Sequence, residues 1–231
     1  MRNVLLTLLC ILTISSTVLS AQSTITRYDL EEGQVLDILL LRQQPDTDDL
    51  LSDYFKTAFP VAKRFGYRPM AGHKVTKITQ GNHMPFSFVF GKWEDLNRRE
   101  DFIEEATDEI PDFHERRRNI WSYFGLTYYK MEEDLSFAID SERFNVVTAY
   151  WQKPNASIST FHHQWVALAQ TEGSDLILEL SNGKSPFGYY HQPTYLTITS
   201  WENEAAFSAF LAKCSDLALE GVQHLNQFII N

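Results

Sequence analysis

The feature that most constrains this chain is one sequence pattern that occurs twice. Each copy has a run of alternating aromatic and β-branched residues that ends at a Trp-Glu pair and leads directly into a helical pattern. The copies are 85–102 and 193–210, and their Trp-Glu pairs begin at Trp93 and Trp201, 108 residues apart. Self-similarity at a fixed spacing indicates that one folding unit is repeated. The chain is therefore predicted to contain two copies of a unit of about 100 residues, a common domain size.

Hydrophobic periodicity predicts the same element order, β-α-β-β-α-β, in both copies. In the first copy the predicted strands are 35–43, 73–79, 86–93 and 122–131, with one helix ending at Gly66 and another broken near Pro111. In the second copy the predicted strands are 144–152, 176–182, 195–201 and 224–230, with helices at 157–170 and 204–213. Such a unit is a four-stranded antiparallel sheet with both helices on one face, the ferredoxin-like arrangement. The predicted class is α+β, with the open faces of two tandem units closed on each other.

Residues 1–21 have the three parts of a secretory signal peptide. A positively charged start, Met1-Arg2-Asn3, precedes the apolar run 4–14 and a region of small residues, 15–21. The apolar run is shorter than the ~20 residues needed to cross a bilayer. The protein is therefore predicted to be exported, to the periplasm or out of the cell, after cleavage near Ala21.

The remaining residues divide into four segments by composition. They are a polar lead-in arm, 22–33, the first repeat, 34–131, a charged linker, 132–143, and the second repeat, 144–231. Without its signal peptide the protein has one cysteine, Cys214, so no disulfide within the chain is expected. Stability must then come from packing.

The net charge of −10 argues against two classes of partner. Nucleic acids and anionic membrane surfaces attract clustered Lys and Arg side chains. The basic cluster 116–118 lies among acidic residues and is predicted to balance an acidic helix surface. No nucleic-acid partner is expected, and no membrane contact after signal cleavage, while a homo-oligomer stays possible.

Period-2 alternation divides each strand into two faces, of which the helices cover one. In the second copy one set is apolar, includes Val147 and Ile198, and is assigned to the helices. The alternate set, assigned to the space between the two sheets, is Thr148, Tyr150, Ile177, Glu179, Tyr195, Thr197, Thr199, Trp201, His224, Asn226 and Phe228. A surface that mixes aromatic and polar groups is typical of a ligand cavity. The same register in the first copy puts Asp37, Leu39, Leu41, Ser87, Val89 and Trp93 on the inner face.

One pocket is predicted, on the side of the second copy, because the inner face of the first copy is drier. The candidate catalytic residues are the titratable groups Tyr150, Glu179, Tyr195 and His224. The candidate ligand-binding residues are Asp37, His73, Thr148, Thr197, Asn226, Tyr190 and His191, the last two in the aromatic loop 183–193. No metal or cofactor is assigned, because no histidine pair has metal-motif spacing supported by Asp, Glu or Cys. For Asp37, Glu179 and His224 the alternative is structural. The carboxylates would then be edge-strand charges in solvent or part of a salt bridge between the copies, and the histidine would lie on a terminal strand in water.

The two Trp-Glu segments resemble those of the dimeric α/β-barrel superfamily, which includes antibiotic-biosynthesis monooxygenases, NIPSNAP-type proteins and stress-responsive barrel proteins. Segment 93–100, WEDLNRRE, is most similar to the NIPSNAP pattern, and segment 201–207, WENEAAF, to the monooxygenase pattern. The resemblance implies an intramolecular dimeric α/β barrel. Heme-degrading members carry a second Trp and a His after the pivot, at positions that here hold Phe102, Asp112, Phe210 and Glu220. Heme degradation is therefore disfavoured.

The sequence thus predicts an exported protein that binds a small apolar or aromatic molecule between its two sheets. If the protein is an enzyme, the expected reaction is oxygenation, isomerisation or cyclisation without a cofactor. The alternative is a non-catalytic binding or assembly module whose inner face is filled core. A cavity between the sheets would favour the ligand, and close packing there would favour the structural role.

Overall fold

The computed structural model describes residues 24–186 and 188–231, so the predicted signal peptide lies outside the described residues. The first half contains β1 (Ile25–Leu30), β2 (Val35–Gln43), α1 (Asp48–Arg64), β3 (Arg68–Gln80), β4 (Ser87–Trp93), α2 (Leu96–Glu109), α3 (Phe113–Ile120) and β5 (Trp121–Lys130). The second half contains β6 (Leu135–Asp140), β7 (Phe144–Gln152), α4 (Ser159–Thr171), β8 (Asp175–Ser181), β9 (Tyr195–Trp201), α5 (Glu204–Cys214) and β10 (Val222–Ile230). Among the helices of the described residues, none has the length and apolarity that crossing a membrane requires.

Eight strands form one antiparallel sheet in the order β5-β2-β4-β3-β10-β7-β9-β8. Each unit supplies four neighbouring strands, in the same relative order. The units meet where β3 pairs with β10, with Val75 opposite Ile230. At the outer edge of β5, the backbones of Tyr128 and Lys184 exchange hydrogen bonds of 2.8 and 2.9 Å. The predicted α+β class with ferredoxin-like units is confirmed by this strand order.

The repeated Trp-Glu pattern marks the passage from a strand to a helix. Trp93 and Trp201 are the last residues of β4 and β9. Two residues later, the side chains of Asp95 and Asn203 accept hydrogen bonds from the backbone amide three positions on, at 2.9 and 3.0 Å. Asp and Asn are preferred at this capping position because they satisfy an amide that the helix leaves unpaired. The repeated pattern therefore marks the end of a strand and the start of the next helix.

The helix α1 runs through Pro60 without a break. Its first turn carries Asp48 and Asp49 and its last turn Lys63 and Arg64, which complement the helix dipole. These favourable ends offset the hydrogen bond that proline removes. Pro111, in contrast, separates α2 from α3 as predicted.

On β2, β4, β7 and β9 the two faces are covered in the opposite sense to the prediction, whereas Phe228 of β10 lies on the predicted face. One apolar cluster contains Leu36, Ile38, Phe88, Val147, Leu178 and Ile198 from both units, together with further strand residues and no helical residue. The residues that pack against the helices include Val35, Trp93, Tyr150, Tyr195 and Trp201. The predicted inner-face residues Asp37, Thr148, Tyr150, Glu179, Tyr195 and Thr197 therefore lie on the helix-facing side. The face that both units share is mostly apolar, whereas the helix-facing side carries polar and charged groups that the helices can pair.

The predicted arm and linker contain strands. β1 and β6 pair antiparallel, and Tyr28, Leu30, Phe137 and Ile139 belong to the apolar cluster that both units share. The ring centroids of Tyr28 and Phe137 stack 4.7 Å apart. Each strand is only six residues long, so its alternation is too short to be distinguished from a polar loop in sequence. We name this two-stranded sheet of 25–30 and 135–140 the clasp.

The clasp is expected to contribute to stability. Phe137→Ala should lower the free energy of unfolding by about 3–5 kcal/mol, because it leaves a cavity in the core. Leu50→Ala, at a side chain that is 51% exposed, should change it by less than about 0.5 kcal/mol. Urea unfolding followed by circular dichroism measures both. Equal effects of the two substitutions would show that the clasp is peripheral.

Candidate ligand cavity

A cavity of 190 Å³ lies between the sheet and the helices of the first unit. Its walls are mostly apolar and include Leu39, Ala58, Phe59, Val89 and Phe102. A protein cavity of roughly 150 Å³ is large enough to bind benzene. The cavity therefore has room for a molecule of one or two rings.

The cavity lies in the first unit, whereas the sequence analysis predicted a pocket on the side of the second. The helix α1 presents Ala58 and Ala62 to the sheet, and both line the cavity. The helix α4 presents Trp165 to its sheet, with a ring centroid 5.2 Å from that of Phe210. Small side chains leave space in the first unit, whereas large rings fill the corresponding layer of the second.

A buried ion pair forms part of the cavity wall. The guanidinium Nε of Arg99 donates a 2.7 Å hydrogen bond to Oδ1 of Asp37, and the two side chains are 2% and 5% exposed. The same guanidinium lies 5.3 Å from the ring centroid of Trp93 and 4.8 Å from that of Tyr128. Asp37 was singled out from sequence, but its partner was not. Arg99 precedes the buried Phe102 by three residues, and that helical spacing was the available signal.

Arg117, on α3, is a second buried arginine in the wall, 7% exposed. Its Nε donates a 2.7 Å hydrogen bond to the hydroxyl of Tyr54. Its guanidinium carbon lies 4.1 Å from the ring centroid of Phe113 and 4.7 Å from that of Phe124. In the described part of the chain, no carboxylate forms an ion pair with it. Sequence analysis assigned Arg117 only to the basic surface cluster.

Tyr67 closes one side of the cavity against a glycine. A Cβ atom on Gly91 would lie 2.5 Å from the Tyr67 ring, so only glycine allows this close approach. The ring centroid of Tyr67 is 4.8 Å from that of Trp93. Burial raises the pKa of both Tyr67 and Tyr54, so both phenols stay protonated near neutral pH.

Three of the four predicted catalytic residues lie together, in the second unit. They surround His162, whose Nε2 is 3.2 Å from Oε2 of Glu179. The Tyr195 ring stacks on the His162 ring with centroids 3.9 Å apart, and the Tyr150 ring is 5.8 Å away. Burial raises the pKa of Tyr150 well above its usual value, so this phenol is a poor base. The catalytic role of these residues stays a prediction.

Two predicted ligand residues lie on the same face of the sheet. Thr148 is paired with Thr197 across β7 and β9, and both are fully buried. The amide of Gln227 donates a 3.0 Å hydrogen bond to the hydroxyl of Thr148. These polar groups hydrogen-bond with one another under the helices, and their role in ligand binding stays a prediction.

His224, the fourth predicted catalytic residue, lies in a separate aromatic cluster where the two units meet. The ring of His83 is 5.5 Å from that of His224 and 5.6 Å from that of His191, and Trp151 packs against all three. Asn226 joins the cluster by accepting a 2.9 Å hydrogen bond from the backbone amide of His83. We name these residues the junction cluster. Among residues 24–186 and 188–231, no group of three His, Cys, Asp or Glu is arranged to hold a metal ion.

The two remaining predicted ligand residues, Tyr190 and His73, differ in burial and in location. Tyr190 is 65% exposed, in the loop that bridges to Leu126. His73 is buried and forms a 2.6 Å hydrogen bond with the hydroxyl of Tyr28, which ties β3 to the clasp. The predicted ligand residues therefore do not form one site, and of them only Asp37 lines the cavity.

The ion pair in the cavity wall is expected to be costly to break. Asp37→Leu leaves the Arg99 charge buried and unpaired, which should lower the free energy of unfolding by about 3–5 kcal/mol. The double variant Asp37→Leu/Arg99→Met should recover part of this loss, because neither charge is then buried. Denaturant unfolding measures all variants.

An exposed ion pair provides the control. Lys77 and Glu204 are 2.8 Å apart with both side chains 59% exposed, so Glu204→Ala should cost about 1 kcal/mol or less. A loss in Asp37→Leu that is no larger than this would contradict the importance of the buried pair.

The junction cluster is expected to make stability depend on pH. Burial, with smaller contributions from nearby His83 and His224, lowers the pKa of His191 to about 3. The unfolded chain, with an ordinary histidine pKa of about 6.5, then binds more protons at acid pH than the folded chain. Stability is therefore lost as pH falls from about 6.5 towards 3, at up to about 1.4 kcal/mol per unit for this one group.

The substitution His191→Gln tests this assignment. Between pH 6.5 and 5 the variant should lose about 2 kcal/mol less stability than the wild type, because it removes the titrating ring. The control His163→Gln removes a histidine outside the junction cluster, at an exposed position of α4. Identical slopes for wild type and His191→Gln in urea unfolding would refute the assignment.

Comparison with known proteins adds only distant likenesses. No protein-family model matches the chain, and no curated protein is significantly similar to it in sequence. Among solved structures, an anthrone oxidase-like protein aligns over 88% of this chain and 94% of its own, at 11% identity and TM-score 0.46. A mutant chlorite dismutase from Candidatus Nitrospira defluvii aligns over 87% of this chain and 92% of its own, at 6% identity and TM-score 0.47. A protein of unknown function from Rhodopseudomonas palustris aligns over 44% of this chain and 84% of its own, at 16% identity and TM-score 0.34.

Proposed function

We propose that this chain is an exported binding protein whose ligand, a small apolar or aromatic molecule, occupies the cavity between the sheet and the helices of the first unit. The observation that carries the proposal is the 190 Å³ of space where α1 presents Ala58 and Ala62 to the sheet. Ligand sites are typically concave and apolar, with a few placed polar groups. Here those groups are Asp37, Arg99 and Arg117. Export rests on the signal-peptide pattern of residues 1–21.

The chemistry of the wall favours binding over catalysis. A general base works best when its pKa lies near the working pH. Asp37 is held in an ion pair with Arg99, and Tyr54 and Tyr67 stay protonated. Among the described residues that line the cavity, none is histidine or cysteine. The wall can therefore orient a ligand through its arginines and phenols, which is the role proposed here.

The same proposal includes an intramolecular α/β barrel. It is supported by the pairing of β3 with β10 and by the backbone bonds between Tyr128 and Lys184, which link the two ends of the sheet. The apolar cluster shared by both units also supports it. A relationship to NIPSNAP-type proteins and antibiotic-biosynthesis monooxygenases is supported by the two Trp-Glu segments, each followed by a helix cap. In this arrangement the space that both units enclose is filled core, the outcome that sequence analysis linked to a structural role. The ligand proposal therefore rests on the cavity under the helices of the first unit.

Filling the cavity tests the proposal. Wild-type protein is expected to bind indole, a neutral two-ring probe, and Ala58→Leu should weaken that binding at least about tenfold because the ring loses its space. Calorimetric titration measures the affinity.

The matched control is Thr57→Leu, which introduces the same side chain at the neighbouring exposed position of α1. It should bind indole as the wild type does. Indole binding that survives Ala58→Leu would move the ligand to another part of the molecule. No binding by the wild type would defeat the proposal itself.

A further inference from the structure

The cavity wall carries an excess of positive charge. Of its charged residues, Asp37 and Arg99 neutralise each other in their ion pair. Arg117 is the third, and its hydrogen-bonding partners are the neutral hydroxyls of Tyr54 and Tyr189. One positive charge in the wall is therefore not balanced by any charged side chain that lines the cavity. A buried charge without a counter-ion is energetically unfavourable, so this site would be stabilised by an anion.

The same wall has hydrogen-bond donors without acceptors. Nη1 of Arg117 and Nε1 of Trp93 are buried and have no hydrogen-bond partner among the described residues. The rings of Phe113 and Phe124 stabilise the Arg117 cation through their faces, but a ring face does not replace an oxygen lone pair. Buried donors are paired in the great majority of cases, so each of these two calls for an explanation. A ligand oxygen would supply the missing acceptor.

Resting on the proposed function, we propose that the ligand is a small aromatic or apolar carboxylic acid whose carboxylate binds Arg117. A single carboxylate balances the single excess charge, and arginine is the cation best suited to a planar carboxylate. A phosphate group would bring up to two negative charges into a wall with one to balance. The apolar side chains around Ala58, Phe59 and Phe102 then surround the ring or chain of the acid.

A pair of probes with nearly the same shape tests the charge. At pH 7, wild-type protein should bind phenylacetate at least about tenfold more tightly than phenylacetamide, because a hydrogen bond between charged groups is stronger than its neutral counterpart. Arg117→Met should reduce this ratio to about one. Titration calorimetry gives both affinities, and near-ultraviolet circular dichroism verifies that the variant is folded.

The matched control is Arg118→Met, which removes the neighbouring, exposed arginine of the same helix and should keep the wild-type ratio. Arg117→Lys, which keeps the charge, should retain part of the preference. Should Arg117→Met fail to fold, the wild-type ratio and the lysine variant still decide the matter. Equal affinities in the wild type, or a preference that survives Arg117→Met, overturn the carboxylate assignment and leave the proposed function standing. If the wild type binds neither probe nor indole, the proposed function fails and the carboxylate assignment fails with it.

Discussion

The structure depends on the burial of the sheet face that the helices leave bare. A four-stranded sheet with helices on one side exposes the other, and in each unit that other side is a row of large apolar residues such as Phe88 and Ile198. Water would make this surface unstable, so it must be covered by a second surface of the same kind. One apolar cluster accordingly contains strand residues from both units and from the clasp. The charged side chains Asp37 and Glu179 lie on the opposite, helix-facing side.

That division places the chemistry of the molecule under the helices. Asp37 points away from the shared cluster. On the helix-facing side, Arg99 of α2 is its partner. Glu179, on the corresponding side of the second unit, meets His162 of α4. Each unit thus has a carboxylate on the sheet face that the helices cover. The helical partner is an arginine in the first unit and a histidine in the second. They differ in packing as well, because alanines leave a cavity in one and tryptophan fills the layer in the other.

Strand positions were predictable because alternation and turn residues are local properties. Strands β7 and β9 begin and end at the predicted residues. The choice of face was not predictable on β7 and β9, because both faces of these strands are buried: Val147 and Ile198 are as inaccessible as Tyr150 and Thr197. When a sheet is covered on both sides, alternation separates two sets without saying which lies between the sheets.

The cavity was beyond sequence analysis for a different reason. It depends on which side chains of α1 face which side chains of β2 and β4, and on the volume left between them. Ala58 and Ala62 are ordinary helix residues until their partners are known. Arg99 and Arg117 were harder still, because arginine is usually exposed and both lie in strongly charged segments. Their burial follows from helix phase, in which they share a face with Phe102 and Phe113.

The clasp has a consequence for the relation between the two halves of the chain. Its strand β1 precedes the first unit and its strand β6 follows it, yet both contribute to the interior that the units share. The connector between the two units is therefore more than a flexible linker, because its strand β6 forms part of the shared apolar cluster. A pair of identical first halves would carry two copies of β1 and none of β6. The internal symmetry of the chain is therefore broken at its centre, and neither half could be replaced by a second copy of the other.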